Sequence, residues 1–449
     1  MSPNVRLTEG GSPVTKGAML HRSFLHALPT ALLLSLCLVA CDDGPAPVDG
    51  MVPTDGGTTD GEVPPTDGGD GGMPPSDLFP PPIITTCPGD ALPPPSSGRC
   101  EVTSGDDNVL ITGDVLTPGE VFRGGQVLVG ADGRIACVGC DCSGEAGAGG
   151  ATQLVCPDSV VSPGLINGHD HITFNNTVPY PAEGLLTDER YEHRHDWRTN
   201  EPSPPHTSVS AGGGRATTEE MLWNELRQLM SGTTSVFGSG GPDGLLRNLD
   251  NDGRNGLGVE AEYETFPLGD SGETQFTDSC GYSYCSSCTA SSVMGLHAFV
   301  PHVAEGINEE ARNEFRCMRD GDRDFVMPVS AFIHGVGLLA ADIAEMAIED
   351  VELIWSPRTN ITLYGDTARV TENAHLGVPI GLGTDWVRSG SMNMLRELVC
   401  VDQFNANHLS GFFPDEQMWL MATRNTATAF RMDSQIGVLA VGAQADIAI

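Results

Sequence analysis

The sequence of 449 residues has almost no lysine and few basic residues of any kind. Lys16 is the single lysine, which excludes a Schiff-base lysine, a P-loop lysine and a carboxylated lysine between two metal ions from the rest of the chain. The 23 lysine and arginine residues stand against 60 aspartate and glutamate residues, giving a formal net charge of -37. Because a field of this sign repels phosphate, we expect no nucleic-acid partner.

Long apolar runs are also absent, except in one segment near the N terminus. Residues 19–41 combine a weakly basic start, an apolar run and small residues before Cys41, as signal peptides do. The last four of them, LVAC, resemble the bacterial lipobox, whose cysteine carries the lipid; an ordinary cleaved signal with an incidental cysteine is the alternative. We therefore expect residues 1–41 to be a lipoprotein-type signal peptide of an exported protein. It would be anchored to a membrane only through lipid on Cys41, facing the periplasm or the cell surface.

The segment that follows is acidic and rich in proline and glycine. Between Asp42 and Asp90 there are ten acidic residues and no basic one. Such a composition cannot bury enough apolar surface to offset the entropy of ordering. The sequence therefore predicts a disordered linker over residues 42–100.

Thirteen cysteines are present, and eleven of them lie from Cys87 onward. Export favours disulfides over free thiols, whereas closely spaced thiolates also suit structural zinc. We predict disulfides and keep zinc as the alternative for two clusters. These are Cys137, Cys140 and Cys142, and Cys280, Cys285 and Cys288.

The remaining sequence changes from a strand pattern to alternating strands and helices. Residues 101–162 alternate apolar and polar side chains between Gly, Asp and Pro turns, which predicts the first part of a small β-sandwich domain. Residues 163–430 alternate strand and helix patterns, which favours an α/β fold with a (β/α)8 TIM-like barrel. Residues 431–449 return to a strand pattern and stop at Ile449. We expect them to complete the small domain, in an apparently truncated form.

Histidines and acidic residues follow several of the predicted strands. Two imidazoles two residues apart on an extended chain point the same way, and such a pair is a common start of a catalytic metal site. Barrel enzymes carry their sites at the carboxyl ends of the strands. The residues at such positions are His169, His171, His302, Glu305, His334 and Asp385.

The order of these motifs resembles the amidohydrolase superfamily, and specifically its chlorohydrolase and deaminase branch. The resemblance extends over roughly Asn108 to Ile449 and rests on seven motifs in family order. They are PGLINGHDH, SGTTSV after a helix, HVAE, IHG, WSPRTNITL, GLGTD and the closing GVLAVGAQADIAI.

The resemblance implies a mononuclear metal-dependent hydrolase. It assigns one divalent ion, zinc first and iron(II) second, to His169, His171, His302 and Asp385. Glu305 would move a proton, Asp385 would also accept one, and His334 would polarise the substrate or orient the nucleophile. The implied reaction breaks a non-peptide C–N bond, or releases a similar leaving group, in a small cyclic amide, amidine or heterocycle. A divalent ion can form the attacking hydroxide at neutral pH, and the scarcity of lysine agrees with one metal ion.

Two other interpretations of the function remain open. A metal- or ligand-binding surface lipoprotein could keep the same barrel and lose turnover, but it would have no need of Glu305 as a proton carrier. A disulfide-stapled adhesin would explain the cysteines and the linker, but not the order of the site motifs. We therefore favour an enzyme that acts on a small molecule.

Further histidines and aromatic residues lie near the predicted site. His297 lacks a glutamate three residues on and is predicted to be structural. Long insertions at 172–215 and 267–292 are expected to carry substrate contacts. Aromatic residues in or beside them are Trp197, Tyr263 and Phe266, and the first insertion also holds His193, His195 and His206. We expect these three histidines to be packed or solvated, with substrate contact as the alternative. Trp386, where the branch commonly has a small or polar residue, is expected to fill part of the pocket.

Overall fold

The computed structural model describes most of the chain from Leu78 onward. The described ranges are 78–89, 94–178, 189–199, 206–209, 215–238, 241–242, 244–286, 288–319 and 321–449. The predicted signal peptide, Cys41 and the greater part of the predicted linker lie outside them, so those assignments stay predictions. No helix within these ranges is long and apolar enough to cross a bilayer.

Strands and helices alternate along the described ranges in the manner that the sequence predicts. The strands are β1 (Ile83–Thr86), β2 (Glu101–Thr103), β3 (Asp106–Thr117), β4 (Glu120–Val129), β5 (Ile135–Gly139), β6 (Ala151–Pro163), β7 (Leu165–Asn167), β8 (Thr233–Val236), β9 (Arg247–Asn248), β10 (Ala261–Glu264), β11 (Ala298–Val303), β12 (Ala331–His334), β13 (Glu352–Trp355), β14 (Ile380–Leu382) and β15 (Ile447–Ala448). The α-helices are α1 (Arg194–Thr199), α2 (Thr218–Leu229), α3 (Asp252–Asn255), α4 (Ala290–Met294), α5 (Glu309–Cys317), α6 (Ala340–Ile348), α7 (Pro357–Tyr364), α8 (Val370–Leu376), α9 (Met394–His408), α10 (Asp415–Met421) and α11 (Arg424–Ala429).

The small β domain is built from both ends of the described chain. Its seven strands form one sheet in the order β1-β4-β3-β6-β15, with β2 beside β6 and β5 beside β4. The last strand runs antiparallel to β6, with Ile447 opposite Pro163. The core of this domain contains Ile111, Val115, Val127, Ile135 and Val161 from the N-terminal part and Leu439 and Ala443 from the C-terminal part.

The folded region begins before residue 100, where the sequence analysis placed the end of the linker. Strand β1 pairs in parallel with β4, with Ile83 opposite Glu120. The ring of Phe79 lies 5.7 Å from the rings of Phe412 and Phe413, measured between centroids. Residues 78–89 are therefore part of the folded protein. Their proline-rich composition predicted a linker, whereas they contain strand β1 and the buried contact of Phe79.

Among the pairs in which both cysteines are described, five disulfides join ten cysteines and divide both predicted clusters. In the β domain Cys140 is bonded to Cys87 and Cys137 to Cys142, while Cys100 is bonded to Cys156. The other two pairs are Cys280–Cys317 and Cys285–Cys288. The disulfide prediction therefore fits the structure, and neither cluster offers three free thiolates to a zinc ion.

The larger domain contains eight parallel strands, β7 to β14, which neighbour one another in sequence order. They form a sheet of three strands, β7-β8-β9, and a sheet of five, β10-β11-β12-β13-β14. At one junction the amide of Ala261 donates to the carbonyl of Leu249 at 3.0 Å, and at the other Gly168 donates to Leu382 at 2.8 Å. The two sheets are thus joined at both edges by individual hydrogen bonds rather than by continuous ladders. This is the α/β architecture that the sequence predicts.

Side chains on β11 show how this arrangement places a site at the strand ends. Ala298 and Val300 belong to one buried cluster, which includes residues of strands β7, β12 and β13. Phe299 and Val303 belong to a second cluster, which includes helix residues. Because side chains alternate along a strand, His302 shares the face of Ala298 and Val300. It therefore follows them towards the space enclosed by the strand ends.

Helix α2 confirms the clearest local prediction. Thr217 and Glu220 form a reciprocal capping box, in which the amide of Thr217 donates to the Glu220 carboxylate at 2.7 Å. This arrangement satisfies two amides that the first turn leaves without partners. The helix ends before Gly232, whose φ of 83° suits glycine.

Candidate metal centre and active site

Six predicted residues lie at the carboxyl ends of four strands. His169 and His171 follow β7, His302 and Glu305 belong to the end of β11, and His334 is the last residue of β12. Asp385 follows β14 and forms an isolated parallel bridge with Asp170. The structure therefore brings together every one of the predicted ligands and both predicted proton-transferring residues. Cys41, the predicted lipid-bearing residue, lies outside the described ranges.

The ligand atoms of these residues converge on one point. Nε2 of His169 lies 2.9 Å from Oδ1 of Asp385, and Nε2 of His171 lies 3.1 Å from the same oxygen. The ring of His302 lies 4.6 Å from that of His169 and 5.2 Å from that of His334, between centroids. Two overlapping groups have their ligand atoms within 4.8 Å of one another. They are His169, His302 and His334, and His169, His171 and Asp385.

Unsatisfied nitrogen atoms show that this cluster suits a cation. Among the described residues, Nδ1 of His169 and Nε2 of His334 have no hydrogen-bond partner, although both rings are fully buried. Buried polar atoms without partners are rare in folded proteins and require a reason. Imidazole nitrogens and one carboxylate are the donors that zinc and iron(II) accept. The donor set therefore fits a single divalent metal ion.

Burial favours the neutral, metal-competent form of the central histidines. Burial lowers the pKa of His169 to about 4, although the charge of Asp385 opposes the shift. Burial and the neighbouring imidazoles also hold the pKa of His302 well below its ordinary value. Burial alone would lower the pKa of His171, but the hydrogen bond and charge of Asp385 outweigh it and raise the pKa. His169 and His302 thus present free lone pairs at neutral pH.

Two site residues have a left-handed backbone. The φ angle is 74° at His334 and 57° at Asp385. Such angles cost about 1–3 kcal/mol in a residue with a side chain, and they collect at functional sites. In β12, Ala331 and Ile333 belong to the same buried cluster as Val300, whereas Phe332 belongs to the one that includes helix residues. Strict alternation would send His334 outward with Phe332, so the left-handed angle is what lets its ring join the site.

A buried carboxylate that the sequence analysis missed supports the strand ends. Asp170 accepts hydrogen bonds from Asn167 at 2.9 Å, Asn175 at 2.6 Å and Thr384 at 3.1 Å. Burial raises its pKa to about 6 even though Arg227 opposes the shift. Asp170 lies between two predicted ligands and bridges to Asp385, so its network fixes β7 against β14.

The outer nitrogens of two histidines also have partners. Nδ1 of His334 lies 3.0 Å from the amide oxygen of Asn360 on α7. Nδ1 of His171 lies 3.3 Å from the hydroxyl of Tyr263. These contacts orient the rings so that each Nε2 points to the cluster. Asn360 belongs to the WSPRTNITL motif, which explains why that segment is part of the resemblance.

Glu305 is held by two partners on opposite sides. Its Oε2 lies 3.6 Å from Nε2 of His334. Its Oε1 accepts a hydrogen bond of 2.7 Å from the hydroxyl of Tyr364, which in turn accepts one of 2.8 Å from Nε1 of Trp197. Burial and the charge of Glu305 raise the pKa of Tyr364 well above its ordinary value, so the hydroxyl stays protonated and can donate. No motif in the sequence indicated Tyr364 as a part of the site.

Residues 193–195 of the first insertion lie across the end of β11 and include buried charges. The amide of Arg194 donates to the carbonyl of Glu305 at 3.0 Å. Its side chain contacts Asp270 at 2.5 Å and Glu314 at 3.1 Å. Burial alone would raise the pKa of Asp270, but Arg194 and His195 hold it well below its usual range.

The other weighed histidines have structural partners. His193 lies 3.3 Å from Glu314, and His195 lies 3.0 Å from Asp270. His206 contacts the carboxylate of Glu189. Nε2 of His297 lies 3.1 Å from the carbonyl of Arg431. All four are thus engaged within the protein, as the structural reading of them predicts.

A cavity of about 360 Å³ opens onto the cluster. Its wall includes three site residues, His171, His302 and Asp385, together with Glu305. The remaining lining is Phe174, Arg194, Trp197, Arg198, Thr265, Phe266, Leu363 and Trp386. The volume is within the range of small-molecule sites. Trp386 occupies one wall, as expected, and the first insertion lines the cavity with Phe174, Arg194, Trp197 and Arg198, whereas none of the lining residues belongs to the second insertion. Substrate contact by either insertion stays a prediction.

Comparison with known proteins relates the chain to one family. The amidohydrolase family model matches residues 160–449. A 5-methylthioadenosine/S-adenosylhomocysteine deaminase of Symbiobacterium thermophilum is 24% identical over 391 residues, which are 76% of this chain and 84% of the relative. The corresponding protein of Desulforudis audaxviator is 29% identical over 180 residues, 38% of this chain and only 41% of the relative.

A solved structure shows the same fold. The atrazine chlorohydrolase of Arthrobacter aurescens, determined in complex with zinc, superposes with a TM-score of 0.53 at 17% sequence identity. The superposition covers 76% of this chain and 86% of the other. Since the family match alone extends over more than half of the sequence, this chain belongs to the amidohydrolase family.

Proposed function

We propose that the protein is a mononuclear metal-dependent hydrolase that removes an amino group, or a similar leaving group, from a small heterocycle. The observation that carries the proposal is the convergence of four histidines and Asp385 at the strand ends, with Glu305 beside them. The deaminase relatives support C–N hydrolysis as the reaction type. In a deamination, water adds to the carbon that bears the amino group, the C–N bond breaks and ammonia leaves.

His169, His171, His302 and Asp385 would hold the ion. When bound, a divalent ion lowers the pKa of water and polarises the bond that is attacked. Zinc fits the imidazole-rich donor set, and iron(II) accepts the same donors.

The chain's own residues would position the substrate and move protons. Glu305 lies on the cavity wall and would carry a proton from the attacking water to the leaving nitrogen. His334 would bind the substrate atom that gains negative charge, since Asn360 orients its ring. Asp385 lies on the cavity wall next to the ring nitrogens of His169 and His171, where it can accept a proton. The aromatic walls would exclude bulk water from these steps.

Metal analysis and a substrate screen test this proposal together. We expect about one divalent ion per chain by mass spectrometry of the purified protein, because the chain supplies one ligand set and no bridging lysine. The screen should compare ammonia release from 5′-methylthioadenosine, S-adenosylhomocysteine and aminated pyrimidines with chloride release from chlorotriazines. Two tightly bound ions in one site would contradict the mononuclear assignment. A metal-loaded, folded protein without turnover would instead favour the ligand-binding lipoprotein.

We also propose that the mature protein is a lipoprotein anchored through Cys41. The LVAC sequence before the acidic segment supports this location. Mass spectrometry of membrane-extracted protein should find a diacylglyceryl group on an N-terminal Cys41, and Cys41→Ser should abolish it. An unmodified terminus at another residue would exclude the anchor.

A further inference from the structure

Arg198 brings to the wall of the cavity a positive charge that has no directly paired carboxylate among the described residues. It lies near the end of α1, in the first insertion, and lines the same cavity as His171 and Asp385. Its guanidinium carbon lies 4.5 Å from the centroid of the Phe266 ring, and its Nη1 lies 3.0 Å from Nδ1 of His195. Over the ranges that the structure describes, no carboxylate oxygen lies within 4.0 Å of its nitrogens.

Arg194, four residues earlier in the same helix, is an arginine whose charge is paired with carboxylates. Arg194 contacts the carboxylates of Asp270 and Glu314, and His195 contacts Asp270 as well. These acids are therefore already engaged. Glu305, Asp270 and Glu273 favour the charged form of Arg198 only through their charges, without an ion pair to it. Burial lowers the pKa of Arg198, as expected for a cation taken from water without a paired carboxylate. A negatively charged ligand group would supply the missing partner.

The rest of the wall suits a flat ring. The rings of Trp197 and Trp386 are stacked at 5.8 Å with an interplanar angle of 24°. Phe174 and Phe266 add further aromatic surface to the same cavity. Aromatic side chains favour stacked or edge contacts with a planar ligand. A cavity of about 360 Å³ has room for a compound of one or two rings.

We propose that the substrate is a heterocycle bearing a carboxylate, and that Arg198 binds this carboxylate. The inference rests on the proposed function and names the class of substrate that the same site takes. A guanidinium binds a planar carboxylate through two parallel hydrogen bonds. A single uncompensated arginine balances one negative charge, whereas the dianion of a phosphate monoester would leave a charge unpaired beside Glu305. Arg198 is thus the residue that selects anionic over neutral rings.

Binding of matched probes tests this selection without turnover. Calorimetry on the full mature chain should compare nicotinate with nicotinamide, which share a ring and differ in charge, and include phenyl phosphate as the phosphate probe. Each probe is measured with zinc bound and after chelation, because a carboxylate could also bind the ion. We expect nicotinate to bind about tenfold more tightly than nicotinamide in both states, as one charge-assisted pair allows. The ratio should fall as salt is raised.

Variants separate Arg198 from other sources of the preference. Arg198→Gln should bring the nicotinate-to-nicotinamide ratio to about one, and Arg198→Lys should give an intermediate ratio because the charge remains without the planar fork. Arg323→Gln is the matched control, since Arg323 also lies over an aromatic ring, 5.0 Å from the centroid of Tyr284, but away from the cavity. Its ratio should equal that of the unmodified protein. If Arg198→Gln does not fold, the nicotinate-to-nicotinamide ratio measured for Arg198→Lys tests the proposal in its place.

Each outcome bears on one proposal or the other. Equal binding of the two probes, or a ratio that survives in both Arg198 variants, overturns the carboxylate subsite. Tighter binding of phenyl phosphate than of nicotinate overturns the choice of carboxylate over phosphate. Turnover of neutral heterocycles with no preference for anionic ones would overturn this inference and leave the hydrolase proposal intact. Arg198-dependent binding of nicotinate in a protein that hydrolyses nothing would support the carboxylate subsite and contradict the hydrolase proposal.

Discussion

Replacing His302 with alanine should remove the metal ion and the turnover together. His302 is almost fully buried, and its ring lies 4.6 Å from the ring of His169 and 5.6 Å from that of His171. Removing it leaves an incomplete ligand set, and alanine supplies no donor. We expect the metal content to fall from about one ion per chain to below about a tenth, with turnover reduced in proportion.

A second histidine beside the same strand provides the control. His297 immediately precedes β11, is partly exposed, and contacts the carbonyl of Arg431 instead of the cluster. His297→Ala should keep both metal and activity, so a general effect of losing a histidine from this strand can be excluded. Circular dichroism should show folded protein for both variants. Retention of a full complement of metal by a folded His302→Ala protein would contradict its assignment as a ligand.

The position of the metal cluster could be predicted from the sequence because it depends on strand ends. His169, His171, His302 and Asp385 each follow a short apolar run, and parallel strands bring their carboxyl ends to one side. The order of the motifs then relates these residues to a known family. The structure adds distances, but it did not change the membership of this group.

The orientation of His334 could not be predicted from the apolar pattern. Alternation along β12 places Phe332 on the outer face, so the same rule would direct His334 away from the site. The left-handed φ of 74° at His334 turns its side chain towards the site instead. The sequence offers only the following Gly335 as a sign of unusual backbone, and this sign does not specify which residue adopts the angle.

Tyr364 and Arg198 were missed for a different reason, and so was the contact of Trp197 with Tyr364, although Trp197 itself was expected beside the substrate. Tyr364 follows the WSPRTNITL motif, and Trp197 and Arg198 belong to an insertion more than 160 residues earlier. Their contacts depend on the path of that insertion over the end of β11, where His193 bridges to Gly306. Neither composition nor periodicity specifies such a path. The folding of Ile83–Thr86 within the predicted linker was missed similarly, because its pairing with β4 is a tertiary contact.

Replacing Glu305 with glutamine should separate proton transfer from metal binding. Glutamine keeps the shape of the side chain, and its amide oxygen can still accept the hydrogen bond that Tyr364 donates at 2.7 Å. The change removes the group that exchanges a proton. We therefore expect the metal content to stay near one ion per chain while turnover falls by about 10²-fold or more, the usual scale of general acid–base catalysis.

Tyr364→Phe tests the same carboxylate with a smaller expected loss of activity. It removes the hydroxyl that holds Oε1 and leaves Oε2 beside His334 at 3.6 Å. Because the carboxylate remains but loses one anchor, we expect kcat to fall by about tenfold with KM and metal content nearly unchanged, a smaller loss than that of Glu305→Gln. Steady-state kinetics and metal analysis on both variants check the order of the effects. If Glu305→Gln lost the metal as completely as His302→Ala, Glu305 would be a ligand and its assignment as the proton carrier would be wrong.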